Sequence, residues 1–146
     1  MTILASWTEA EIAEILRRHA GREGALLPIL NDVQAAFGFV PEGAVPLIAH
    51  KLNLSRAEVH GVVTFYHDLK RAPAERPVIK LCRAEACQAR GVERLAPMFE
   101  GDPRIETETV YCLGLCASGP SAMAGDRVFA RLDEGSARRL IDEIAG

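Results

Sequence analysis

Four cysteines, held in two short stretches of the sequence, are the residues best suited to chemistry. "KLCRAEACQARG" at 80–91 carries Cys82 and Cys87, and "VYCLGLCASGP" at 110–120 carries Cys112 and Cys116. Four residues separate the first pair and three the second, both wider than the Cys-x-x-Cys of thiol redox proteins. Three chemistries suit such pairs. They can close as disulfides. Four thiolates can surround one structural zinc, whose ligand pairs commonly come as Cys-x2-4-Cys, so the spacing does not exclude it. Or each pair can chelate one iron of a 2Fe-2S cluster, with two sulfides bridging the irons. Clasping two metal centres rather than one suits the wider loops. The plant-type ferredoxin run, Cys-x4-Cys-x2-Cys with a distant fourth, is not the pattern here.

The surroundings bear on the choice. Gly114 lies within the second pair and Gly119 three residues beyond it. Lacking Cβ atoms, they let backbone approach sulfur, where N–H groups can donate and favour the reduced, more negative cluster. They serve equally well as tight-turn residues. His19, His50, His60 and His67 lie apart from the cysteines on expected helices and read as surface or packing residues. The sequence has neither a Gly-x-Gly-x-x-Gly run nor a P-loop, so no nucleotide is expected to bind here. Its acids show no pairing suited to acid–base work, so no catalytic residue is expected.

Composition narrows the setting. Apolar residues make up 49% of the 146 residues, enough for a packed core. Lys plus Arg total 17 against 20 acids, a net charge of −3, which leaves no basic excess for nucleic acid. Apolar runs such as "ALLPIL" and "VPLIA" are too short to span a bilayer, so no membrane partner is expected. The opening "MTILASWTEAE" lacks the basic and long apolar regions of a secretory signal. The expected compartment is therefore the cytoplasm, where structural disulfides are rare and clustered cysteines point to a metal or redox role.

The elements that must position these thiols divide into two parts. Residues 1–74 read as a helical bundle domain. "WTEAEIAEILRRHAG" starts at a capping box, Thr8 with Glu11, with Trp7 and Ile12 at staple positions and Gly21 at the expected C-terminal cap. "LLPILNDVQAAFG" predicts a second helix ending at Gly38, and "PEGAVPLIAHKLN" a third with Gly43 and Pro46 early in it. "LSRAEVHGVVTFYHDL" opens on a second capping box, Ser55 with Glu58, and presents Val59, Val62, Val63 and Tyr66. Phe65 and Tyr66 crowd its end, and core packing is the simpler expectation for them. "RAPAERP" at 71–77 is a linker.

Residues 75–146 change character. "VIKLC" predicts a strand ending at Cys82, "ARGVERLAPMFEG" a helix, and "RIETETVYC" a strand ending at Cys112. "SAMAGDRVFARL" predicts two short strands about a Gly125-Asp126 turn, and "EGSARRLIDEIAG" an amphipathic helix with Leu140, Ile141 and Ile144 inward. Both cysteine pairs are expected in loops at one edge of the sheet. The fold class is α+β or α/β, with a small helical bundle followed by a mixed-sheet layer.

The two cysteine stretches, behind a helical first half carrying "LNLSRAEVHGVVTFYHDL", resemble the thioredoxin-like 2Fe-2S ferredoxin family over roughly residues 10–132. That family includes the small iron–sulfur subunit of complex I and of related NAD-linked dehydrogenases and hydrogenases. The resemblance implies a thioredoxin-like 2Fe-2S domain over 75–146 and an electron-transfer subunit that does no bond chemistry on substrate. It implies that Cys82 and Cys87 hold one iron, and Cys112 and Cys116 the other, of one cluster per chain. Complex I members read Gly-Ala-Cys and then Gly-x-Ala-Pro. Here Leu115 precedes Cys116, followed by Ala117-Ser118-Gly119-Pro120 and "SAMAGD". That wording is similar to the gamma subunit of soluble NAD-dependent molybdenum formate dehydrogenases. The likeness implies two partner subunits, a flavoprotein that binds FMN and NADH and a catalytic subunit that carries the molybdenum cofactor. FMN, NAD and molybdenum are then expected on partners only, with Phe65 and Tyr66 as an aromatic anchor for the flavoprotein as the alternative to core packing.

Overall fold

The computed structural model describes residues 6–146. The reading of the opening stretch for a secretory signal falls partly on residues 1–5 and lies outside the described residues. Contacts divide the chain into two compact units, Met1–Pro73 and Ala74–Gly146.

The first unit holds four helices, α1 Glu9–Arg18, α2 Leu26–Phe37, α3 Ala44–Leu52 and α4 Arg56–Phe65. Capping boxes start α1 at Thr8 with Glu11 and α4 at Ser55 with Glu58, each satisfying backbone donors that a helix start leaves open. Ile12, Ile15 and Leu16 of α1 meet Ile29, Leu30 and Val33 of α2, Ile48 of α3, and Val59 and Val63 of α4 in one core, against which Trp7 packs. Pro28 and Pro46 sit in the first turns of α2 and α3, where their missing N–H leaves no helical bond unmade. Gly38 caps α2 in the left-handed conformation at φ 82°.

Three expectations are corrected in this unit. α1 ends at Arg18 with His19 as its cap, short of Gly21, because the backbone leaves helical geometry at His19 (φ −102°, ψ 8°) and the N–H groups of His19 and Ala20 turn to the Leu16 and Arg17 carbonyls three residues back. His67 lies beyond the end of α4 rather than on a helix. Core packing fails for the aromatic pair. Phe65 is 74% and Tyr66 42% exposed, because the inward positions of α4 are Val59 and Val63 and the helix ends before Tyr66 can turn inward.

The second unit is a four-stranded mixed sheet in the order β2-β1-β3-β4, with helices packed on it. β1 Val78–Cys82 runs parallel to β2 Glu106–Val110, pairing Cys82 with Val110. β3 Ala122–Ala124 lies antiparallel to β1 and to β4 Arg127–Phe129. The parallel pair needs a crossover, and α5 Glu85–Ala89 and α6 Val92–Glu100 supply it. Ile79 and Leu81 of β1 and Ala122 and Ala124 of β3 form the buried layer. Leu95 and Phe99 of α6 and Ala137, Leu140 and Ile141 of α7 Glu134–Ala145 join it. This is the thioredoxin-like arrangement the resemblance implies, with a helical part before it. Among the described residues no helix is long and apolar enough to cross a membrane.

Candidate metal centre

Cys82 is the last residue of β1, placed by its pairing with Val110 of β2. The chain leaving β1 is held at once. Arg83 forms ion pairs with Glu93 and Glu100 of α6, and Gln88 Nε2 donates to the Arg83 carbonyl at 2.6 Å. The residues that follow form α5, which carries Cys87. The loop expected for Cys87 is therefore a short helix, a correction to the sequence reading. Cys82 and Cys87 are each 2% exposed.

The second pair sits differently. β2 stops at Val110, two residues before the expected end, and Cys112 takes a positive φ of 83°. Cys116 opens a 3-10 turn, Cys116–Ser118. Both are exposed, and their Sγ atoms lie 3.5 Å apart. Tyr111 beside them is 77% exposed.

Hydrogen bonds knit the sulfurs into one locality. Cys112 N–H donates to Cys82 Sγ at 3.3 Å, and Gly114 N–H donates to Cys112 Sγ at 3.4 Å. A Cβ added at Gly119 would stand 3.0 Å from Cys87 Sγ, so the glycine leaves room the sulfur uses. The sulfurs also feel one another's protonation. Burial pushes the Cys82 thiol up, but N–H groups of Ala84, Cys112 and Leu113 and the Cys87 thiol outweigh it and bring it below its ordinary value. Cys112, through a hydrogen bond and its charge, pushes the Cys116 thiol up, and Cys87 adds to the push.

All four thiols are free. Among the described residues no group of three or more His, Cys, Asp or Glu side chains is arranged to hold a single metal ion. The arrangement is two thiol pairs, one buried and one exposed, with backbone N–H groups turned toward sulfur. That donor set fits a group with two metal centres and sulfur-rich coordination. His19 is engaged by Asp32, with Nε2 2.8 Å from Oδ2. Sequence reasoning missed Ser121, whose Oγ lies 3.6 Å from Cys87 Sγ. Its signal was one hydroxyl between Pro120 and the apolar "AMA" run.

The chain is similar to several known proteins. The NADP-reducing hydrogenase subunit HndA of Solidesulfovibrio fructosivorans is 26% identical over 144 residues, covering 91% of this chain and 84% of its own. A subunit of the NADH-quinone oxidoreductase of Pseudomonas aeruginosa is 28% identical, covering 85% of this chain and 81% of its own. Its namesake in the NADH-quinone oxidoreductase of Escherichia coli K12 is 30% identical, covering 81% of this chain and 78% of its own. A crystal structure of an NAD+-reducing NiFe-hydrogenase in the H2-reduced state superposes on 82% of this chain with a TM-score of 0.69 and 22% identity, a likeness of fold. The matched region is 22% of that much longer chain. The sequence matches the thioredoxin-like 2Fe-2S ferredoxin family over residues 12–145, and the chain belongs to that family.

Proposed function

We propose that this protein is the electron-transfer subunit of an NAD-dependent formate dehydrogenase complex, with one 2Fe-2S cluster held by Cys82, Cys87, Cys112 and Cys116. The observation that carries the ligand set is the pairing itself, in which Cys112 N–H reaches Cys82 Sγ while Cys112 and Cys116 stand 3.5 Å apart. When bound, such a cluster takes up and returns one electron at a time. The chain's own residues do the rest. Cys82 and Cys87 hold the inner side away from water. Cys112 and Cys116 present the outer side to a partner. The N–H groups of Cys112 and Gly114 stabilise negative charge on sulfur.

The partner is a flavoprotein subunit with FMN and an NADH site, since a flavin converts a two-electron hydride into single electrons. A molybdenum subunit acts on formate. Support for formate is the wording "CLGLCASGPSAMAGD". A second reading is the equivalent subunit of complex I or of an NAD-reducing hydrogenase, favoured by the names of the relatives. Isolating the native complex and measuring NAD reduction with formate and with hydrogen separates these readings, with co-purifying subunits identified by mass spectrometry. Formate-dependent reduction with a molybdenum subunit present is expected; hydrogen-dependent reduction, or a quinone-reducing assembly, assigns the chain to the second reading.

A further inference from the structure

Ser121 is the one buried polar residue among the described residues, 1% exposed. It is fixed from two directions. Its carbonyl accepts from Cys82 N–H at 3.0 Å, and its hydroxyl lies 3.6 Å from Cys87 Sγ, a distance suited to the larger sulfur atom. A hydroxyl buried among apolar side chains is costly unless it is hydrogen-bonded. Ala122 beside it is fully buried, and Ile79 and Leu81 fill the same core. The Cys87 sulfur is thus the partner that makes this burial tolerable.

The direction of the bond follows from protonation. Between a thiol and a hydroxyl either atom can donate. A thiolate has no proton, so as a metal ligand Cys87 only accepts, and Ser121 is the donor. Two of the other sulfurs take main-chain donors: Cys112 N–H serves Cys82, and Gly114 N–H serves Cys112. At Cys87 the side chain of Ser121 fills that place.

We propose that Ser121 is a positioning residue whose hydroxyl donates a hydrogen bond to the Cys87 thiolate and thereby makes the centre easier to reduce. Hydrogen bonds to ligand sulfur draw charge off it and favour the state holding the extra electron. The buried, low-dielectric position of this bond strengthens its effect. The inference rests on the ligand set proposed above.

The test uses the full chain purified without oxygen, wild type beside Ser121→Ala and Ser121→Thr. Ser121→Ala is expected to keep the wild-type iron and sulfide content. At a fixed potential its reduced-to-oxidised ratio is expected to fall about threefold to tenfold, tenfold being ~59 mV for one electron. Ser121→Thr keeps a hydroxyl and is expected to stay at the wild-type potential. Resonance Raman spectra of the wild-type chain, taken soon after transfer to D2O, are expected to show a shifted iron–Sγ stretch that Ser121→Ala lacks. A Ser121→Ala potential equal to wild type overturns the proposal. Should that variant fail to bind iron, an unshifted wild-type stretch in D2O overturns it instead. A wild-type chain that binds no pair of irons would sink the ligand set and not this bond.

Discussion

The backbone N–H of Cys112 donates to Sγ of Cys82 at 3.3 Å, joining two cysteine pairs that lie thirty residues apart in the chain. Cys112 makes this bond from a φ of 83°, a conformation that side-chain-bearing residues avoid at a cost of order 1–2 kcal/mol. Such strain persists where surrounding structure fixes it. Here it is fixed between the end of β2 and the 3-10 turn that begins at Cys116.

The first prediction follows from that convergence. Cys82→Ser and Cys116→Ser are each expected to lose or destabilise the cluster while the four helices of the first unit stay folded, because no cysteine lies in that unit. Iron analysis with far-ultraviolet circular dichroism checks this. Full iron content in both variants would remove them from the ligand set.

Gly119→Ala tests the tightness of the inner pair. The φ of Gly119, −69°, suits any residue, so only space is at issue. The new Cβ would stand 3.0 Å from Cys87 Sγ and 3.2 Å from Arg90 Cδ, and the sulfur must yield by a few tenths of an ångström. The variant is expected to release iron faster to a chelator than wild type. Gly114→Ala gives a contrast, since its Cβ meets open space and its cost is the φ of 78° alone, about 1 kcal/mol. Equal release rates for wild type and Gly119→Ala would show that the sulfur has slack.

What the sequence revealed and what it hid have separate physical causes. Capping boxes at Thr8 and Ser55 were legible because their signals lie within three residues and need no tertiary partner. The strand ending at Cys82 was legible as a short β-type run, and the two around Gly125 from their turn chemistry. α5 was hidden because five residues, Glu85–Ala89, are too few to display a helical period. The exposure of Phe65 and Tyr66 was hidden because an aromatic pair at a helix end scores as core until the packing partners are known. Ser121 was hidden because its significance lies in a contact with Cys87 across 34 residues.

Gly43→Ala is expected to destabilise the helical unit by ~1–3 kcal/mol through overpacking. The glycine leads into α3 at an ordinary φ of −66°, yet its added Cβ would lie 2.6 and 2.7 Å from two carbons of the Trp7 ring. Removing the ring should remove most of the effect, so the double variant with Trp7→Ala should lose little more than Trp7→Ala alone. Thermal unfolding of the four proteins gives the cycle. Additive losses would show that Trp7 is not what Gly43 accommodates.

Acid should weaken the second unit in part through Asp102. The Arg104 side chain, then its backbone N–H, holds the Asp102 carboxyl at about 2 against an ordinary 3.8. A depressed folded value contributes stability above the unfolded value, lost as pH falls from about 4 toward about 2. Asp102→Asn is therefore expected to lower stability at neutral pH and to lose less between pH 4 and pH 2 than wild type does. Parallel acid-unfolding curves for the two proteins would count against this ion pair as a source of the loss.

The last prediction concerns assembly. Phe65 and Tyr66 stand edge to face with ring centres 5.1 Å apart, at 74% and 42% exposure, a costly arrangement for two aromatic side chains left in water. Removing them should leave the unit's stability nearly unchanged, since Val59 and Val63 supply α4's share of the core. If the pair anchors the proposed flavoprotein subunit, Phe65→Ala with Tyr66→Ala weakens that association by about 2 kcal/mol or more, roughly thirtyfold in affinity, as central aromatic anchors do. Titrating the flavoprotein with wild-type and doubly substituted chains measures the difference, and circular dichroism monitors the fold. Equal affinities with the fold intact would place the docking surface elsewhere, with Tyr111 beside the exposed thiols as the next residue to replace.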